Sequence, residues 1–280
     1  MPRPLISAEE LHARLSDAHL RAADVRWYLN RPGAGRGAFD EGHIPGATFV
    51  DLDTDMSDHA GFGAPGRHPL PSPAEFAHRM GALGFASDDF IVAYDDAGGM
   101  IAARLWWMLD NLGHSGGCVV LDGGIQAWTA AGYELTTSQR PLAAAEIRLA
   151  DQWQHVIARE QVADRGGTLV LLDARAPERY RGEVEPIDPL AGHIPGALNV
   201  PATANLGPDG SLRDAASLEA LYAPLLAVGK DTVVSCGSGT TACHSALAMR
   251  VAGMQDPLLY VGSFSDWSRS GMPVVSGENP

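Results

Sequence analysis

Cys236 stands in the run Val233-Val-Ser-Cys236-Gly-Ser-Gly-Thr-Thr-Ala-Cys243, the stretch of this chain best suited to chemistry. Thr232 to Ser235 is rich in β-branched residues and reads as a buried strand, while Ala242 to Val251 reads as a helix. The cysteine therefore falls where strand gives way to helix. Gly237, Ser238, Gly239, Thr240 and Thr241 are small enough for the backbone to curl around the sulfur and to offer it up to five N–H groups. A thiol in a ring of amides beside a helix N-terminus is stabilised as thiolate, which is the setting of a nucleophile. Periodicity alone leaves a buried structural cysteine equally open.

The neighbouring residues narrow the electrophile. A cysteine phosphatase needs an arginine six positions after its nucleophile to clamp phosphate bidentately, and here that position holds Ala242. Attack on sulfur instead leaves Cys–S–S⁻, a polarisable anion that asks for amide donors more than for a general base. Ser238 and Thr240 or Thr241 add hydroxyl donors, although either threonine also suits a helix N-cap. Cys243 reads as a packed core residue of the helix, with a redox role toward Cys236 as the alternative.

Composition sets the surroundings. The chain has 280 residues, 45% hydrophobic and 19% charged, enough for one large domain or two ordinary ones with a good core. A net charge of −14 speaks against nucleic acid or an anionic membrane surface as a partner. Lys230 is the only lysine, so an anion site must draw on arginine, amides or hydroxyls. The opening Met1-Pro-Arg-Pro-Leu lacks a signal peptide's apolar core, and no apolar run approaches the roughly 20 residues of a membrane span. Three cysteines are too few for a disulfide framework, and without a Cys-x-x-Cys pair no metal site is expected. These features predict a soluble protein of the reducing cytoplasm.

The elements that must position Cys236 occur twice. Gly42-His43-Ile-Pro-Gly-Ala47 recurs as Gly192-His193-Ile-Pro-Gly-Ala197, and Asp24-Val-Arg26 as Asp173-Ala-Arg175. Ile91-Val-Ala-Tyr-Asp95 matches Thr232-Val-Val-Ser-Cys236, and Leu121-Asp-Gly-Gly-Ile-Gln-Ala-Trp128 matches Tyr260-Val-Gly-Ser-Phe-Ser-Asp-Trp267. Four matches in one order, about 140 to 150 residues apart, indicate a duplicated domain. Apolar strands (Phe90 to Tyr94, Cys118 to Leu121, Leu169 to Leu172, Thr232 to Ser235, Leu258 to Val261) alternate with helices such as Ser217 to Leu226. This predicts an α/β fold with parallel sheets covered on both faces. The expected division is a first domain over 1–135, a linker over 136–149 with Pro141, and a second domain over 150–280. His43 and His193 share one turn in both copies, yet only one copy has the cysteine, so both are expected to be structural. Trp106, Trp107 and Trp267 are expected in the core.

Taken together, the paired Gly-His-Ile-Pro-Gly-Ala turns, Arg104-Leu-Trp-Trp107, the Asp-Gly-Gly and Gly-Ser-Phe turns and Cys236-Gly-Ser-Gly-Thr-Thr-Ala242 resemble the rhodanese superfamily of two-domain thiosulfate and 3-mercaptopyruvate sulfurtransferases. The resemblance implies two tandem rhodanese-like domains, each a mainly parallel sheet with helices on both faces. Its nucleophile lies in the second, and Asp95 at the matching place in the first agrees with that. It implies a Cys236 persulfide with no cofactor or metal, an anionic sulfur donor, and an acceptor that is a thiol, such as reduced thioredoxin, or cyanide. The donor-binding arginine maps onto Arg179. The second carboxylate arginine of the mercaptopyruvate enzymes has no counterpart in Glu183-Val-Glu-Pro-Ile-Asp188, where Arg181 is the nearest substitute. The uncharged Gly237-Ser238-Gly239 nonetheless resembles those enzymes rather than the thiosulfate enzymes, whose loop is cationic. An acid and a histidine of the family site map onto Asp53 and His68. Alternatives are a thiosulfate:cyanide sulfurtransferase, a persulfide carrier, and a non-catalytic binding module.

Overall fold

The β-branched and aliphatic runs form parallel strands. The structure, a computed structural model, describes residues 3–58 and 66–280. These divide into two units, one of residues 3–58, 71–154 and 208–212, the other of residues 66–70, 155–207 and 213–280.

The first unit has five strands, β1 (Leu5–Ile6), β2 (Leu20–Asp24), β3 (Thr48–Phe49), β4 (Phe90–Tyr94) and β5 (Cys118–Leu121), in the order β1-β5-β4-β2-β3 with every pairing parallel. Helices α1 (Ala8–Arg14), α2 (Ala34–Glu41), α3 (Pro73–Ala82), α4 (Ala102–Asn111) and α5 (Gly124–Ala130) connect them. Local chemistry starts these helices: Ser7 and Glu10 form a reciprocal capping box on α1, and Ser72 caps α3 ahead of Pro73. Ile91 to Tyr94 are fully buried, as a strand covered on both faces requires, and Trp106 and Trp107 lie in the core. Residues 136–149 run along this unit. Thr136 and His43 exchange backbone hydrogen bonds of 2.9 Å, Ala145 donates to Gly81, and Ile147 is buried.

The second unit has four strands, β6 (Leu169–Asp173), β7 (Ala197–Asn199), β8 (Asp231–Ser235) and β9 (Leu258–Leu259), parallel in the order β7-β6-β8-β9. Its helices are α6 (Arg159–Ala163), α7 (Pro177–Tyr180), α8 (Ala215–Tyr222), α9 (Thr241–Val251) and α10 (Ser263–Trp267). The helix expected over Ser217 to Leu226 ends at Tyr222 and passes into a 3₁₀ turn, Ala223–Leu225, because Pro224 has no N–H to continue the α-helical ladder. Val162, Leu171, Ile194, Val233, Phe264 and Trp267 form the core. β8 is an inner strand, and Cys236 follows its carboxyl end, where parallel sheets gather ligands.

The duplicated motifs repeat one set of bonds. Arg26 Nη2 donates to Asp24 Oδ2 at 2.6 Å and to the Gly42 carbonyl at 2.7 Å; Arg175 Nη2 does the same to Asp173 (2.7 Å) and Gly192 (2.8 Å). Each buried pair ties a strand end to its Gly-His-Ile-Pro-Gly turn. His43 and His193 lie in these turns with Nδ1 2.8 Å from the carbonyls of Phe39 and Tyr180, each stacked on that residue's ring. Their role is structural in both units. No helix of the described residues is long and apolar enough to cross a membrane.

Candidate active site

Cys236 is 2% exposed and held from both sides of its backbone. Its N–H donates to Ser263 Oγ at 3.1 Å, its carbonyl accepts from Phe264 N at 3.0 Å, and the Gly237 carbonyl accepts from Ser265 N at 2.9 Å. The sulfur accepts from Gly239 N at 3.1 Å and Ser238 N at 3.4 Å. Gly239 makes this curl possible: its φ is +77°, and a Cβ there would lie 2.4 Å from the Val261 carbonyl oxygen. Two small-residue requirements thus meet in one glycine.

Ser263 is a residue that the sequence reading passes over. Its φ is +52°, a region that costs a residue with a side chain about 1–2 kcal/mol. The matching residue of the duplicated turn is Gly124, with φ +59°. The serine keeps the conformation and adds a hydroxyl that donates to Tyr260 O (2.8 Å) while accepting from Cys236 N. The signal was present as the change from Gly-Gly to Gly-Ser between the copies.

His68 belongs to the second unit rather than to the first domain, where its place in the chain put it. Backbone contacts account for this: Arg67 N donates to Ser265 Oγ at 3.0 Å, and Gly66 lies against Gly262. The His68 ring is buried, with Nδ1 2.8 Å from Ser238 Oγ and 3.4 Å from Thr240 Oγ1. Thr240 precedes α9 but makes no capping bond, so its hydroxyl serves the histidine edge instead of the helix. Thr241 is the first residue of α9. Cys243 is fully buried, its thiol 3.3 Å from the Gly239 carbonyl, as a packed helix residue.

The first unit places a different group at the matching position, in a loop that runs two residues longer before its helix begins. Asp95 follows β4 as Cys236 follows β8. Its carboxylate accepts from the amides of Ala97 (2.8 Å), Gly99 (2.8 Å), Ile101 (2.7 Å) and Ala102 (2.8 Å). The loop is therefore an anion cradle by construction, and in this unit the anion is built in.

Of the three clustered arginines, Arg175 is committed to Asp173 and stacks its guanidinium 3.8 Å from the Phe264 ring centre. Arg181 turns to Glu183 at 2.7 and 2.9 Å. Arg179 faces the cysteine loop. Its Nε and Nη2 donate to Glu185 at 2.7–3.2 Å, Nη2 is 3.4 Å from Asp188, and Nη1 lies 3.5 Å from where a Gly237 Cβ would be. The buried Asp188 also binds Arg67 Nη1 (2.7 Å) and Arg269 Nη1 (2.9 Å). Arg67 was not singled out from the sequence. It sits beside His68 in the chain, and only the fold reveals what it touches. Within this cluster, among the described residues, Arg67, Arg175, Arg179 and Arg269 face Asp173, Glu185 and Asp188, an excess of one positive charge. Asp53 lies in the first unit and accepts from Trp27 Nε1 at 2.8 Å.

Known proteins resemble this chain along both units. Residues 7–131 and 158–270 each match the model of the family described as "Rhodanese-like domain". The chain is 44% identical over 280 residues to a Pseudomonas aeruginosa protein named "Probable 3-mercaptopyruvate sulfurtransferase", covering 98% of each. It is 32% identical to the Bos taurus protein named "Thiosulfate sulfurtransferase", covering 95% of this chain and 91% of that one. Among solved structures, SseA from Escherichia coli, described under 3-mercaptopyruvate sulfotransferases, superposes with a TM-score of 0.82 at 31% identity, covering 94% of this chain and 99% of its own.

Proposed function

Because the chain belongs to the rhodanese family and is a two-domain sulfurtransferase, we propose that Cys236 is its nucleophile, taking the sulfur of 3-mercaptopyruvate as a persulfide and passing it to a thiol or to cyanide. The observation that carries this reading is the loop that grips the Cys236 sulfur through the Ser238 and Gly239 amides, while its copy wraps the Asp95 carboxylate in four. A carboxylate oxygen lies two bonds beyond Cβ, as does the outer sulfur of a persulfide. The amides of Thr240 and Ala242, at the same spacing from Cys236 as two that hold Asp95, are the donors for that outer sulfur.

Thiolate attack on the donor sulfur forms the S–S bond and breaks the C–S bond. The electron pair leaves as the pyruvate enolate, which takes up the proton shed by the donor thiol. Ser238 and Thr240, both against His68 Nδ1, are the groups through which that proton moves. In the second half, cyanide or a thiol attacks the outer sulfur and returns Cys236 as thiolate, giving ping-pong kinetics. No external cofactor enters either balance.

The donor follows from charge. Arg179 presents a guanidinium edge to the loop, and the surrounding cluster, among the described residues, carries an excess of one positive charge. That matches a monocarboxylate donor better than a dianion, and Gly237-Ser238-Gly239 adds no cation. Intact mass after incubation with 3-mercaptopyruvate is the test of the nucleophile: a gain of one sulfur atom is expected, absent in Cys236→Ser. Equal behaviour of the two proteins refutes it. The donor assignment fails if kcat/KM for thiosulfate exceeds that for 3-mercaptopyruvate by tenfold, about 1.4 kcal/mol in transition-state binding.

A further inference from the structure

We propose that Arg67 is the second donor-binding guanidinium of this site, paired with Arg179 beside Gly237 and held in place by Asp188; the inference rests on the carboxylate-donor reading above. A Cβ built on Gly237, the residue after the nucleophile, would lie 3.0 Å from Arg67 Nη2 and 3.5 Å from Arg179 Nη1. Both cations therefore approach the residue after the nucleophile, from different segments of chain. The nitrogens they bring nearest are not the ones bound to acids among the described residues: Arg67 meets Asp188 through Nη1, and Arg179 meets Glu185 and Asp188 through Nε and Nη2, the latter 3.9 Å from the same point. Arg67 Nε is in addition buried without a hydrogen-bond partner among the described residues, a donor whose desolvation goes unrecovered until an acceptor arrives.

The segment is fixed well enough to specify a ligand. Arg67 N is bonded to Ser265 Oγ, and Ser265 N is bonded to the Gly237 carbonyl, so the arginine and the loop share one anchor. Asp188 has no exposed side-chain surface and binds three arginines, so it orients Arg67 rather than neutralising it alone. The stretch Glu183 to Asp188 lacks an arginine of its own, and what it contributes is the acid that positions one from residue 67. Two guanidiniums converging on one point suit a planar carboxylate.

The test compares wild type with Arg67→Gln, Arg67→Lys and Asp188→Asn in the two half-reactions separately. For 3-mercaptopyruvate, Arg67→Gln is expected to raise KM by about 10- to 100-fold with a smaller effect on kcat, and Arg67→Lys to fall between. Asp188→Asn is expected to raise KM in the same direction. Transfer from preformed Cys236 persulfide to cyanide, which needs no donor carboxylate, is expected to stay within about twofold of wild type in the Arg67 variants. An unchanged KM in Arg67→Gln overturns the proposal, as does equal slowing of both half-reactions accompanied by a lower melting temperature, which marks a structural role. Failure of wild type itself to load sulfur refutes the underlying function instead, so the two failures are separable.

Discussion

Asp95 and Cys236 occupy the same position in their two units, each one residue beyond an inner strand and each gripped by amides of the loop that follows. The comparison is an experiment already performed within one chain: a carboxylate in this cradle collects four hydrogen bonds. Cys236→Asp is therefore expected to fold, to lack sulfur transfer, and to be more stable than Cys236→Ser by about 1 kcal/mol or more. Hydrogen bonds to a charged acceptor are each worth about 1.5–3 kcal/mol before burial is charged against them. Urea unfolding of the two variants measures this directly. A lower midpoint for the aspartate would mean that the second loop is not built like the first.

His68 and Ser238 give a second prediction. With Nδ1 2.8 Å from the hydroxyl, the pair is buried and directional. Ser238→Ala is expected to lower kcat for 3-mercaptopyruvate by about 10- to 100-fold, the cost of removing the nearer of the two hydroxyls at His68 Nδ1. Ser238→Thr keeps a hydroxyl and is expected to recover part of the rate. Steady-state kinetics of both variants decides it. If alanine and threonine are equally impaired, bulk in the loop rather than the hydroxyl is what matters.

Ser263 offers a third. Its hydroxyl fixes the Cys236 amide at the cost of a left-handed backbone. Ser263→Ala loses the bond and keeps the strain, and is expected to lose about 1–3 kcal/mol of stability. Ser263→Gly loses the bond but relieves the strain, as Gly124 shows in the other copy, and is expected to lose less. Melting curves read the difference, and the order alanine below glycine is the result to look for.

These residues also show how far the sequence could be read. Strand runs, the duplicated turns and the nucleophile loop are local patterns, and local patterns carry their own periodicity. The inert role of His43 and His193 followed from their presence in both copies, and their stacking on Phe39 and Tyr180 supplies the physical reason. What stayed hidden was long-range. Arg67 and Asp188 are 121 positions apart, and nothing in either stretch announces the other. The grouping of residues 66–70 with the second unit rests on backbone contacts with Gly262 and Ser265 that no periodicity encodes. Ser263 was within reach, since one glycine-to-serine change at a left-handed position stood in plain alignment.

The last prediction concerns pH and a residue remote from the cysteine. His114 sits in the turn between α4 and β5, 7% exposed, with Nε2 donating to the Asp89 carbonyl at 2.8 Å and Nδ1 buried without a partner among the described residues. Burial pulls its pKa below the usual value of about 6.5, outweighing the favourable pull of Asp89 and Asp88. The sign follows from proton counting. Between the lowered folded value and about 6.5 the unfolded chain binds a proton that the folded chain does not, so stability is lost as pH falls through that window and no further below it. The loss is bounded by about 1.4 kcal/mol for each unit of displacement. His114→Gln can keep the bond to Asp89 but cannot take up the proton. Urea midpoints of both proteins at pH 7.5 and 5.5 are expected to show a larger acid-induced loss in wild type. All other titrating groups are common to the two, so equal losses would remove His114 as the cause.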